Sequence, residues 1–143
     1  MNPFSLLLQL SCLSQREAAS YLKTSSSTID KWSRGVREVP DAVLEEMRTL
    51  IDMQCDAADE ALDILEHQCP DEVDEIELGY PFDDHEAQTL GWPCVGAWKG
   101  MASRVIAECQ QEVLLVPRGS TLSTAIAADI HDELRGRDVR LKH

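Results

Sequence analysis

Apolar residues in the first forty positions recur at three- and four-residue spacing, in three short runs separated by small and polar residues. Phe4, Leu7, Leu8 and Leu10 or Cys12 give one inward face to a helix over Phe4–Leu13. Ala18, Ala19 and Leu22 do the same for Ser14–Leu22, and Ile29 and Trp32 for Ser26–Arg34. The polar residues between the runs mark helix ends. Ser14 and Glu17 form an S-x-x-E capping box, Ser25 is an N-cap, and Gly35 is a C′ stop. Val36–Pro40 follows as a loop with Arg37 at its tip.

The rhythm then lengthens. Asp41–Gln68 predicts one long amphipathic helix with Val43, Leu44, Met47, Leu50, Ile51, Ala57, Ala58, Ala61, Leu62, Ile64 and Leu65 on its apolar side. Asp41 and Glu45 sit near its positive end, and Cys69–Pro70 ends it. Beyond the acidic connector Pro70–Glu77 the pattern mixes periods. It predicts a short strand at Glu75–Leu78, a helix over Asp83–Leu90, a break at Gly91–Pro93 and a helix over Cys94–Gln110. That helix carries Val95, Trp98, Met101, Ala102, Val105, Ile106 and Cys109 on its apolar side. Glu112–Val116 is the best strand in the chain, followed by a turn at Pro117–Ser120, a helix over Leu122–Arg135 and a basic tail, Gly136–His143. The expected fold is mainly α (α+β). A helical unit with its long helix spans 1–69, a small α/β unit spans 70–135, and a tail spans 136–143.

The first unit has the proportions of a helix-turn-helix. Ala18 and Ala19 let two helices approach closely, while Leu22, Ile29 and Trp32 fill the wedge between them. Ser26–Arg34 is thereby left as a short helix shaped to enter a DNA groove. Nine residues make up the expected DNA contact set: Gln15, Lys23, Ser25, Ser26, Ser27, Thr28, Lys31, Arg34 and Arg37. Gln15 opens the second helix, where its amide can donate to a phosphate oxygen beside the helix N-terminus. Ser25 caps, and the hydroxyls of Ser26, Ser27 and Thr28 can donate to phosphates or read bases. Lys31, Arg34 and Arg37 suit phosphate or base contact. Asp30 repels phosphate unless it accepts from a cytosine amine or pairs with Arg34 at i+4. Trp32 reads as core, as do Trp92 and Trp98.

Charge changes the picture in one respect. The chain of 143 residues has a net charge of −13, which argues against a protein that simply coats nucleic acid. Yet residues 1–50 are neutral, and Arg16–Arg37 holds five basic against two acidic side chains. A locally basic face on an acidic body can bind phosphate, because salt screens charges beyond about 8–10 Å.

Other chemistry is sparse. Cys12, Cys55, Cys69, Cys94 and Cys109 include no C-x-x-C pair, which fits neither a disulfide framework nor a common zinc spacing; reduced, mostly buried thiols in a cytoplasmic protein are expected. MNPFSLLLQLSCLS lacks the basic start of a signal peptide, and no stretch reaches the ~20 apolar residues of a membrane span. Asp83–Glu86 is the densest group of metal-ligand types, but neighbours at a helix start point apart. There is no phosphate loop, nucleophile elbow or H-E-x-x-H. No catalytic residue, metal or cofactor is expected, and the chain does not read as an enzyme.

Two resemblances add to this reading. Gln15, Ala18, Ala19, Leu22, Ser25, Ile29 and Gly35 fall at the intervals of the Cro/cI-type (XRE-like) regulators. Lys23 stands where that family usually has a turn glycine, and Ser33 where an acidic residue is common. Trp32, Gly35, Val39, Pro40, Val43, Glu46 and Met47, with the later segment around Trp98, Lys99 and Ser103, are similar to the YdiL-like group, which includes anti-CRISPR-associated repressors of phages and mobile elements. The resemblance implies an N-terminal DNA-binding unit, a C-terminal dimerisation unit and autoregulatory repression at an inverted repeat. The function expected is that of a bacterial or phage transcriptional repressor acting as a homodimer on double-stranded DNA. The competing expectation is an antitoxin-type protein whose acidic C-terminal half binds a basic protein.

Overall fold

The computed structural model describes residues 1–68 and 73–118. Cys69, the predicted helix at Leu122–Arg135 and the basic tail lie outside the described residues. Helix starts are set by short polar side chains. In α1 (Pro3–Ser11), Asn2 accepts from the Ser5 N–H at 2.8 Å while the Ser5 hydroxyl donates back to the Asn2 carbonyl at 2.9 Å. In α2 (Gln15–Tyr21), the expected box forms: the Glu17 N–H donates to Ser14 Oγ, and the Ser14 N–H to Glu17 Oε1. In α3 (Ser26–Ser33), Ser25 Oγ accepts from the Thr28 N–H. Such caps contribute about 1 kcal/mol each. Gly35 follows α3 in the left-handed region at φ 75°, as a C′ glycine does.

The long helix α4 (Asp41–Gln68) has the expected bounds. Beyond it lie strand β1 (Glu75–Tyr80), helices α5 (Asp84–Thr89) and α6 (Val95–Glu108), and strand β2 (Glu112–Pro117). Both strands run longer than their apolar runs predict, by two residues in β1 and one in β2. They pair in parallel, with Glu75 beside Glu112 and Tyr80 beside Pro117. A parallel pair needs a crossover, and α5 with α6 supplies it. The fold of the described residues is therefore mainly helical with one small two-stranded parallel sheet, an α+β arrangement. Among them no helix is long and apolar enough to cross a membrane.

One apolar core runs from Phe4 in α1 to Val105 in α6. Phe4 meets Trp32 edge to face, with ring centroids 5.6 Å apart. Trp92 and Trp98 are buried as expected. The apolar side of α6 (Trp98, Met101, Ala102, Val105) is buried, and α6 packs chiefly on α4. Two residues depart from the apolar side read for that helix: Ile106 is 42% exposed, and Cys109 lies past the helix end at Glu108 in extended backbone, half-buried. At the end of α1 the inward face differs from the expected one. Leu10 and Cys12 are exposed and Ser11 is buried. The helix stops at Ser11 and Cys12 turns left-handed, so Cys12 leaves the apolar stripe; Ser11 is tolerated inside because its hydroxyl donates to the Leu8 carbonyl. The thiols are correspondingly less buried than expected: of those described, only Cys94 is buried, and burial pushes its pKa up to about 11.

Two polar side chains tie distant segments together. Fully buried Gln54 on α4 donates through Nε2 to the Ser11 carbonyl at 2.9 Å and to the Ala97 carbonyl at 3.0 Å. Glu17 accepts from the Gly96 N–H at 2.8 Å as well as from Ser14, so one carboxylate closes the starts of both α2 and α6. It thereby replaces the side-chain cap that Cys94 does not make.

Partial burial pushes the Glu17 carboxyl up, but hydrogen bonds from Ser14, Gly96 and Cys94 outweigh it and hold the group below its ordinary 4.5. A depressed carboxyl contributes stability above that value and loses it as pH falls through the folded pKa. Glu17→Gln should therefore lower stability by about 1 kcal/mol at pH 7. The difference from the parent should shrink in urea titrations run progressively below pH 4.5. A constant difference across that range would refute the linkage.

Candidate nucleic-acid interface

The α2 and α3 helices are joined by the short connection Leu22–Ser25, and the connection turns on Lys23. Its φ is 58°, in the left-handed region where glycine is the usual residue. Lysine there carries a backbone cost of about 1 kcal/mol. Lys23→Gly should stabilise the fold by about 0.5–1 kcal/mol, measurable as a higher urea midpoint at unchanged slope. A lower midpoint would mean that the Lys23 side chain makes a stabilising contact large enough to offset its backbone strain.

Helix α3 packs chiefly on α2 and α1, through buried Ile29 and Trp32. Asn2 fastens its far end, donating to the Trp32 carbonyl at 2.8 Å. That clasp had no signature in the periodicity of the chain. The opposite side of α3 is open. Ser26 and Ser27 are exposed, Lys31 is half-buried, and Arg34 and Arg37 are exposed. Gln15 and Arg16 are exposed at the start of α2. Arg16 was not among the expected contacts, although its position beside Gln15 could have suggested it.

Both acidic residues of the Arg16–Arg37 segment are engaged. Glu17 is turned to the backbone amides of Ser14 and Gly96. Asp30 accepts from Arg34, with Nε at 2.9 Å and Nη2 at 2.8 Å from one carboxylate oxygen. The i+4 pairing anticipated for Asp30 is thus present. It holds Arg34 along the helix and leaves Arg16, Lys23, Lys31 and Arg37 without an ion pair to any described residue.

The nine expected contacts are not equivalent. Ser25 and Thr28 use their hydroxyls on each other at 2.9 Å, and Ser25 also caps. Lys23 lies beside an open groove of about 400 Å³ that Tyr21, Leu22, Glu45, Glu46 and Thr49 also line. The two carboxylates there weaken any phosphate contact by Lys23. The Asp83–Glu86 group is spent locally: Asp83 accepts from the Glu86 N–H, and Asp84 from the Val95 N–H. A trio of Asp63, Glu66 and His67 comes together on α4 instead, fully on the surface. Residues four apart on a helix meet whether or not an ion is bound.

No protein-family model matches the chain, and no curated protein matches it in sequence.

Proposed function

We propose that α2 and α3 form a helix-turn-helix, that α3 is its recognition helix, and that the protein is a sequence-specific transcriptional repressor of the Cro/cI type, working in the cytoplasm on double-stranded DNA. One observation carries the reading. Helix α3 is held from one side by Ile29 and Trp32, and its open side offers hydroxyls and cations while the acids of the same segment are engaged elsewhere. Ser26 and Ser27 are short enough for α3 to approach base edges, and Lys31, Arg37 and Arg16 supply phosphate contacts. A single short helix makes few contacts, so a homodimer reading half-sites about 34 Å apart on an inverted repeat completes the proposal. Autoregulation follows from the resemblance alone.

The test is a selection from random duplex DNA followed by a salt-varied titration of the winning site. Enrichment of an inverted repeat bound at nanomolar concentration supports the repressor. Failure to enrich any sequence, with affinity vanishing at about 100 mM salt, refutes it.

A second reading, a basic protein partner, is favoured by α4. From Asp52 to Glu66 its exposed side presents Asp52, Asp56, Asp59, Glu60, Asp63 and Glu66, with no Lys or Arg after Arg48. Such a partner would copurify at low salt and be released at high salt.

A further inference from the structure

Strand β2 lies at an edge but has the sequence of an inner strand. Val113, Leu114, Leu115 and Val116 form an unbroken apolar run, as strands covered on both faces do. Yet Leu114 and Leu115, which alternation places on opposite faces of the sheet, are each 46% exposed. What the two share is the edge of β2 that lies away from β1, where no described strand runs. Cover on one face would reach one leucine, whereas a neighbour along the edge reaches both.

The backbone marks the same edge. The Glu112 N–H donates to the Asp74 carbonyl at 2.8 Å, and the Arg118 N–H to the Tyr80 carbonyl at 3.1 Å. With Glu75 beside Glu112 in parallel register, residues 112, 114, 116 and 118 turn their bonding groups to β1. Val113 and Leu115 therefore turn theirs to the open edge, and Pro117, the next in that series, has no N–H to place there. Such an edge is a template for another strand. It carries no charge from Val113 to Pro117, so it selects neither an acidic nor a basic peptide. It selects a strand with outward bonding groups at alternate positions and apolar side chains on both faces. β2 of a second copy is such a strand.

We propose that two copies of the chain pair through β2, joining their sheets into one of four strands in the order β1–β2–β2–β1. Identical strands related by a twofold axis run antiparallel, and their bonding groups must face each other. Val113 then lies opposite the partner's Leu115, which gives four N–H···O bonds across the axis and leaves Pro117 outside them. Moved by two residues, Val113 would face proline and one carbonyl would lose its donor. Leu114 meets the partner's Leu114 on the axis, at the close spacing of a pair without hydrogen bonds. The two Glu112 side chains stand four residues apart, about 14 Å, beyond the screening length of about 8–10 Å. This pairing supplies a contact for the homodimer proposed above but does not rest on DNA binding, and its test contains no DNA.

The test is hydrogen exchange resolved to single amides, with molar mass followed by sedimentation over a dilution series of the full chain. As the mass doubles, the Val113 and Leu115 amides, open in the monomer, should slow at least tenfold. Leu115→Pro removes an outward N–H and none of those turned to β1, so it should leave a monomer whose Leu114 and Val116 amides are still protected. Leu114→Lys and Leu114→Glu should each be monomeric, because like charges would meet on the axis, and an equimolar mixture of the two should form a heterodimer. If Leu115→Pro unfolds, the two Leu114 variants decide the matter alone. A chain that stays monomeric up to millimolar concentration overturns the proposal. So does a dimer whose Val113 and Leu115 amides exchange as in the monomer, or a mixture of the two Leu114 variants that stays monomeric.

Discussion

Gln54→Ala should lower the free energy of unfolding by about 3–5 kcal/mol, a large part of the 5–15 kcal/mol typical of a whole domain. The amide of Gln54 donates to two carbonyls, Ser11 at the end of α1 and Ala97 at the start of α6, from a fully buried position. Stripping it leaves the Ser11 carbonyl without this donor, at roughly 1–3 kcal/mol, removes the second bond at the Ala97 carbonyl, which keeps its place in the α6 helix ladder, and adds a cavity. Its own Oε1 is already buried without a partner. Gln54→Met, which fills the space and removes that orphan oxygen, should therefore cost less than the alanine. Gly100 shows how tightly the site is closed. A Cβ there would stand 2.2 Å from Gln54 Nε2 and 2.9 Å from the Ser11 carbonyl oxygen. Gly100→Ala alone should displace the amide and cost about 2–3 kcal/mol. Combined with Gln54→Ala, the new methyl enters the vacated space, so the double variant should be more stable than the two single losses predict. Urea unfolding of the four proteins measures this. Strict additivity would show that Gly100 and Gln54 do not compete for one volume.

The helix bounds in the first half were legible because Ser14, Glu17, Ser25 and Gly35 act within a few residues of themselves, and local capping leaves a local pattern. The long apolar rhythm of Asp41–Gln68 was equally readable. What escaped was every interaction whose two ends lie far apart in sequence. Gln54 is one polar residue in an alanine-rich stretch, and nothing near it points to Ser11 or Ala97. Glu17 reads as a capping-box acid, and its second duty at Gly96 depends on packing α6 against α2. Asn2 lies ahead of the first apolar run and carries no sign of its bond to α3. In the candidate interface the Asp30–Arg34 pair could be read from i+4 spacing. The groove that sets Glu45 and Glu46 beside Lys23 could not, since it arises where the start of α4 passes the end of α2. Lys23 itself was visible as a departure from glycine, and its left-handed backbone is the price of that departure.

Lys31→Ala/Arg37→Ala should weaken binding to a selected duplex by about 10²-fold near 100 mM salt, and lower the slope of log affinity against log salt by roughly 2. Both side chains lie on or beside the open side of α3 without an ion pair to a described residue, so removing them deletes phosphate contacts and leaves the core alone. The urea midpoint should stay within that of an ordinary surface substitution. Arg34 should behave differently from its neighbours. It is already bonded to Asp30, so Arg34→Ala removes one cation but also frees a carboxylate to repel DNA. Asp30→Asn reverses both effects: it removes a negative charge from the helix and releases Arg34. That variant should bind several-fold more tightly than the parent and raise the salt slope by about 1. An exposed pair of this kind contributes at most about 1 kcal/mol to folding, so the gain should come with little loss of stability. Opposite signs for Asp30→Asn and for the Lys31/Arg37 double variant separate a groove-facing α3 from a helix that is merely on the surface. If neither variant changes the affinity or the salt slope, α3 carries no DNA contact, and α2 with α3 serves to pack Phe4 and Trp32 in the core.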